Sequence, residues 1–210
     1  MIPSLNEREN LGNLLPFLQK FPCEVIVVEA GNTGYYDFGA KVTSSPKGRA
    51  IQMNRGAALA TGEILFFLHA DSILPDSWYN DILQSLEEKH WGGFRVKFSR
   101  PGAVFATIAF FMNLRSCLTG IITGDMGLFI RKQDFFKSGG FAEIPLMEDI
   151  EISIRLKKKS LPDCLDSRII ISPRKWEKEG IIFTILKMWM IRLLYFGGAS
   201  PERLHRIYYG

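Results

Sequence analysis

Cysteine is too scarce and too scattered in this chain to organise it. Cys23, Cys117 and Cys164 stand far apart with no C-x-x-C spacing, and the three histidines do not cluster with them. That argues against a structural zinc site and fits a reducing, cytoplasmic setting. A strong excess of either charge is also missing. With 26 Lys and Arg against 22 Asp and Glu the formal net charge is +4, enough to help attract a phosphate or an anionic lipid surface but too diffuse for a nucleic-acid partner. No apolar run reaches the roughly 20 residues that a bilayer crossing needs; "IIFTILKMWMIRLLYF" (181–196) has 16. The opening "MIPSLNE" carries a proline at position 3 and a charge at position 7, unlike a secretory leader, so nothing predicts secretion.

What is present is ordinary folded-protein composition, 47% hydrophobic and 23% charged in 210 residues, which suits one domain with a sizeable core. Strand and helix patterns alternate. Leu11, Leu14, Leu15 and Leu18 recur at spacings of three and four, predicting a helix over residues 6–20 with Asn6 as its cap. "EVIVVEAG" (24–31) reads as a buried strand, and "KGRAIQMNRGAALATG" (47–62) as a helix with Arg49, Met53, Gly56, Ala57 and Ala60 on one face. "EILFFLHAD" (63–71) is the next strand. Short connections between such elements predict an α/β fold, a mostly parallel sheet wrapped by helices.

Ligands bind beyond the carboxyl ends of the strands in such sheets. Glu29 to Gly31 and His69 to Asp71 both occupy that position. Two readings of "FFLHADSILP" (66–75) stand side by side: a site, or a turn in which Asp71 and Ser72 cap a helix near 76–89 and His69 is a satisfied edge histidine.

Taken together, "IPSLNE" (2–7), "EVIVVEAGNT" (24–33), "GRAIQMNRGAALATGEILFFLHADSILP" (48–75), "GDMGLFIRKQDFFKSGGF" (124–141) and "PLMEDIEISIRLKK" (145–158) resemble, in order and spacing, the family 2 glycosyltransferases of the GT-A type. The resemblance is closest to a small bacterial branch with a His-Ala-Asp motif, some members of which are associated with arsenosugar biosynthesis. It implies a GT-A fold over residues 1–172, followed by a lid and C-terminal amphipathic helices over 173–210. It also implies an inverting transfer of sugar from a nucleotide-diphosphate donor, a UDP sugar by preference, to an acceptor hydroxyl.

Residue by residue, the resemblance assigns Pro3, Leu5, Asn6, Glu7 and Glu29 to the base and ribose. A carboxylate such as Glu29 can accept from an imide N–H or from ribose hydroxyls. Where the family has aspartate, glycine, glycine, serine, threonine and aspartate, this chain reads Glu29, Ala30, Gly31, Asn32, Thr33 and Gly34. Arg49 and Asn54 are assigned to the diphosphate or base, with Arg49 replacing an arginine usually found just before the asparagine. His69, Ala70 and Asp71 stand where the family carries its metal-binding Asp-x-Asp, so Asp71 and His69 are the expected ligands of Mn²⁺ or Mg²⁺. Asp149 is the expected base with Glu148 in support, although two acids in a first helical turn also stabilise a helix whatever the protein does. Asp125 is assigned to the donor sugar or acceptor. Arg174, Lys175 and Trp176, in "SPRKWEKEG" (172–180), are candidates for a lid over the diphosphate.

Three features leave alternatives open. The family has three to five β-branched residues before "IPSLNE" where this chain has Met1 and Ile2, so the first strand is expected to be short: either the true start lies upstream or the fold is weakened. In 181–196, Thr184, Lys187 and Arg192 fall within an arc of about 140° on a helical wheel. The rest of that helix is apolar, for packing on residues 103–112, for a membrane interface or for a dimer contact. Many resembling enzymes act on lipid or apolar acceptors, which implies peripheral contact at the inner face of the cell membrane. The single carboxylate at 69–71 motivates a second function, a non-catalytic nucleotide-sugar-binding or membrane-associated partner protein. A nucleotidyltransferase would want a lysine- and glycine-rich loop after the first strand, and none is present.

Overall fold

A computed structural model describes residues 1–31 and 39–209; Asn32, Thr33 and Gly34 lie outside the described residues. Strands β1 (Ile2–Ser4), β2 (Ile26–Ala30) and β3 (Lys41–Ser45) form a parallel sheet in that order. A second sheet has β4 (Ile64–Phe67), β5 (Trp91–Phe98), β6 (Leu128–Arg131) and β7 (Asp163–Ile171) in the order β4-β6-β5-β7. The β5 and β7 strands are parallel, and β6 runs opposite to both of its neighbours. Met1 joins the sheets: its backbone nitrogen donates to Phe66 at 2.7 Å and its carbonyl accepts from Leu68 at 3.0 Å. The short β1 is therefore flanked by β2 on one side and by β4 on the other, which aligns the carboxyl ends of all three.

Helix α1 (Arg8–Leu18) buries Leu11, Leu14, Leu15 and Leu18, as their spacing predicts. Asn6 does not cap it. The cap position is Glu7, without a side-chain bond, because Asn6 has a left-handed backbone, φ 60°, that turns its N–H toward Glu29. Helix α2 (Arg49–Leu59) lies close on β1 and β2: a Cβ at Gly56 would stand 2.8 Å from Met1 Cγ. Helix α3 (Trp78–Glu88) starts after Ser77, so Asp71 and Ser72 are too early to cap it and that reading of the turn is set aside.

The remaining helices are α4 (Ala103–Thr119), α5 (Lys132–Lys137), α6 (Glu148–Lys157), α7 (Arg174–Glu179), α8 (Ile181–Phe196) and α9 (Pro201–Tyr209). Ile191 of α8 and Leu204 of α9 pack with Ile121, Leu146, Met147 and Ile150, which docks the C-terminal segment beside the start of α6. The amphipathicity of α8 is inverted. Thr184 and Ile191 are its buried residues, Lys187 turns inward to Glu179 at 3.4 Å, and Ile182, Phe183, Leu186, Trp189, Met190, Leu193 and Phe196 face outward. Its apolar arc does not pack on residues 103–112, whose own Val104, Phe110 and Phe111 are exposed. No helix among the described residues is long and apolar enough to cross a membrane.

Candidate active site

The site is assembled where two helices begin. Arg49 opens α2, an unfavourable place for a cation because the positive end of the helix dipole lies there. Glu148 opens α6, where a carboxylate is welcome, and its Oε1 lies 2.8 Å from Arg49 Nε. The Glu148 side chain is 3% exposed. Burial pushes its carboxyl up from the usual range against the opposing pull of Arg49. Arg49 itself is held firmly protonated: burial would lower it, but Glu148 and then Asp149 more than offset that.

Asp149 is fixed by backbone. Its Oδ2 accepts from Gly124 N–H and its Oδ1 from Ile150 N–H, both at 2.8 Å, so each oxygen keeps lone-pair capacity on a rigid carboxylate. Gly124 starts a 3-10 turn, Gly124–Met126, and must be small: a Cβ there would stand 2.9 Å from His69 Nε2 and 3.7 Å from Asp149 Oδ2. The glycine thus lets the strand end carrying His69 approach the start of α6. Burial first, and then the charge of Arg49, hold the His69 imidazole below its usual range, which keeps it neutral.

A cavity of about 260 Å³ opens at this junction. Arg49, His69, Asp71, Asp125 and Asp149 line it, with Lys175 and Trp176 of α7 across from them. Asp125 Oδ1 accepts from Thr123 Oγ1 at 2.6 Å. Trp176 packs edge-on to Phe98 at 5.7 Å, and Lys175 Nζ lies 3.4 Å from the centroid of the Tyr208 ring. The C-terminal helices therefore close one side of the cavity.

Several expected residues stand apart from it. Arg174 is exposed and bonded to Ser172 Oγ; Lys175 is the basic residue of "PRKW" that faces the cavity. Asn54 is engaged elsewhere, donating to Phe141 O and accepting from Phe141 N at 2.9 Å each, and so ties α2 to the "SGGF" turn. Glu148 does not line the cavity itself but is paired with Arg49, which does. Ala70 is buried. Pro3, Leu5, Asn6 and Glu7 cluster at the neighbouring end of β1, where Glu29 is buried and accepts from Asn6 N–H at 3.0 Å. Among the described residues the other Glu29 oxygen and Ser4 Oγ, both buried, have no partner. Such orphaned acceptors carry a desolvation penalty that a ligand donor relieves.

One positioning residue escaped the sequence. Gln52, buried on α2, donates to Ser4 O at 2.8 Å and to Val28 O at 2.7 Å, satisfying carbonyls at the end of β1 and in the middle of β2. A glutamine within the small-residue face of the predicted helix was its only signal.

For a divalent cation, His69 and Asp71 are suitable donors, a neutral imidazole and an exposed carboxylate. Among the described residues no three His, Cys, Asp or Glu gather as a metal cage. The donor set suits a cation that takes its other oxygens from a diphosphate and water, as Mg²⁺ and Mn²⁺ do.

Residues 1–138 match the family model of Glycosyl transferase family 2. The chain belongs to that family. No curated protein matches it in sequence. Among solved structures it is similar to residues 1–349 of S. aureus TarS, with 16% identity and a TM-score of 0.64 over 89% of this chain and 64% of that one. It is also similar to TarS in complex with UDP-GlcNAc, 17% identical with a TM-score of 0.62 over 81% and 57%. A third similar structure is the Pyrobaculum calidifontis mannosyltransferase PcManGT in complex with GDP-Man and Mn²⁺, 18% identical with a TM-score of 0.58 over 80% and 55%. The chain spans less than two thirds of each of these proteins. At these identities they bear on the fold, which is GT-A, with helices flanking a three-stranded parallel sheet.

Proposed function

We propose that this protein is an inverting glycosyltransferase that moves a sugar from a nucleotide diphosphate to an acceptor hydroxyl, with Asp149 as the base. The observation that carries this reading is the Asp149 carboxylate, pinned by two backbone N–H groups in a cavity that also presents Arg49 and Lys175. In the step, Asp149 takes the acceptor proton as the acceptor oxygen forms its bond to the sugar C1. The bond from C1 to the phosphate oxygen breaks, and the nucleoside diphosphate leaves with that electron pair. Proximity lets an ordinary carboxylate do this, because the hydroxyl becomes acidic as the new bond forms. Glu148 holds Arg49 at the cavity edge, where Arg49 and Lys175 face the departing diphosphate. Asp71 and His69 would hold the divalent cation, which supplies charge neutralisation on the leaving diphosphate.

Glu29 and the adjoining end of β1 are the proposed base and ribose contacts, with the orphaned Glu29 oxygen accepting from the nucleoside. The TarS and PcManGT complexes with UDP-GlcNAc and GDP-Man support a nucleotide-sugar donor. We place the chain in the branch whose metal position reads His-Ala-Asp, some members of which are associated with arsenosugar synthesis. The outward apolar arc of α8 supports peripheral contact with the cytoplasmic face of a membrane.

The test measures melting with UDP or GDP and Mn²⁺, then nucleoside-diphosphate release from UDP and GDP sugars by the parent, Asp149→Asn and Asp71→Ala. A saturating nucleotide at about 100 times Kd adds ~2.7 kcal/mol. Turnover lost in both variants, with nucleotide binding kept in Asp149→Asn, is expected. Nucleotide binding with no turnover by any form would instead favour the non-catalytic binding protein.

A further inference from the structure

Among the described residues, two arginines near Asp149 have no anionic partner. Arg192, on α8, lines the cavity and makes no hydrogen bond or ion pair among the described residues. Arg115, on α4, donates to the hydroxyl of Ser116 at 2.9 Å, and its Nε is buried without a partner. Both lie within the field of Asp125 and Asp149, and the charge of Arg192 also opposes that of Arg115. Burial pulls both guanidinium groups below their usual range, Arg115 to about 10.

A guanidinium does not escape this situation by losing its proton at neutral pH. Two partly desolvated cations held near each other are costly, and folded proteins pair such charges. The nearby carboxylates do not do so. Asp125 accepts from Thr123 and Asp149 from two backbone N–H groups, and neither makes an ion pair with these arginines within 4.0 Å. Arg49 and Lys175, the other cations at the cavity, already have Glu148 and the Tyr208 ring.

We propose that Arg192, with Arg115 behind it, forms an anion subsite for the acceptor, which therefore carries a phosphate or carboxylate group besides the hydroxyl that Asp149 deprotonates. The inference rests on the glycosyltransferase reading and names its acceptor class. The planar fork of Arg192 matches the oxygens of such a group, and an anion bound there offsets the repulsion between the two arginines. Met112 and Met188 line the same cavity from α4 and α8, one turn before Arg115 and Arg192, and provide an apolar wall for the rest of the acceptor. Both helices turn exposed apolar side chains outward, Leu118 and Leu193 being 76% and 70% exposed. The anion can therefore arrive on an amphiphile or on a soluble phosphorylated molecule.

The experiment titrates inorganic phosphate, glycerol 3-phosphate and n-octyl phosphate, with glycerol and n-octanol as uncharged counterparts, into the chain saturated with UDP and Mn²⁺. The parent, Arg192→Ala, Arg115→Ala and Arg192→Lys are compared by calorimetry. The parent is expected to bind the phosphates and not their counterparts, each alanine variant to lose at least 10-fold in phosphate affinity, and the lysine variant to recover part of it. UDP affinity should be the same in all four. Octyl phosphate binding much more tightly than glycerol 3-phosphate would assign the anion to an amphiphile, and equal binding to a soluble acceptor. Absence of phosphate binding to the UDP-loaded parent, or equal phosphate binding by parent and variants, would overturn the subsite alone. Failure of UDP to bind would overturn the donor reading and the subsite with it.

Discussion

Helices α2 and α8 both border the cavity, yet they meet opposite conditions. On α2 the small and apolar face is buried, Gln52 satisfies two strand carbonyls and Arg49 is paired with Glu148. On α8 the polar arc turns inward, Arg192 has no partner among the described residues, and seven large apolar side chains face outward. The polar groups of α2 are answered within the chain; on α8, Lys187 is answered by Glu179, whereas Arg192 and the apolar arc find no counterpart among the described residues. In the proposed reading, the donor side of the cavity is thus a finished structure, and the acceptor side is the one that its ligand and surroundings would complete.

That contrast can be sharpened, beginning with the group between the two sides. Asp149→Asn should lower turnover by about 100- to 10,000-fold while leaving the melting shift with UDP unchanged, since one amide oxygen can still accept from the backbone. On the finished side, Gln52→Leu should cost roughly 2–4 kcal/mol by leaving the Ser4 and Val28 carbonyls unpaired, read as a drop of roughly 5–15 °C in thermal unfolding. Glu148→Gln should cost less, about 1–2 kcal/mol in denaturant unfolding, because the abandoned Arg49 retains access to solvent.

The smallest stability effect belongs to the open side. Leu193→Gln should stay within roughly 0.5 kcal/mol of the parent yet reduce co-sedimentation with phosphatidylglycerol vesicles several-fold. A large loss of stability there would break the contrast, since it would mean that the outer face of α8 is already covered in solution.

Much of the fold could be read ahead of the structure. Helix α1 follows from four leucines at helical spacing and β2 from a β-branched run ending in glycine, because local periodicity reports which face will be buried. The cavity at the strand ends follows from the alternation of elements. Other features were not legible because they depend on partners far away in sequence. Gln52 acts on carbonyls 48 and 24 residues distant, and Asn54 on a backbone 87 residues away. The choice of Lys175 over Arg174 was set by which side of the short helix α7 met Tyr208, a contact made by another helix. The inversion of α8 was hidden for a deeper reason: amphipathicity says that two faces differ, and only a neighbour says which one turns inward.

From residue order alone came the alternation of strands and helices, the family pattern and the polar strand ends, since backbone propensity and local periodicity are written into neighbouring residues. Tertiary packing decided the rest. It paired Arg49 with Glu148, pinned Asp149 through Gly124, left Arg115 and Arg192 without a carboxylate among the described residues and turned the apolar arc of α8 outward. The physical reason is that solvation and charge pairing depend on distance in space, and segments far apart in the chain set those distances only once they pack.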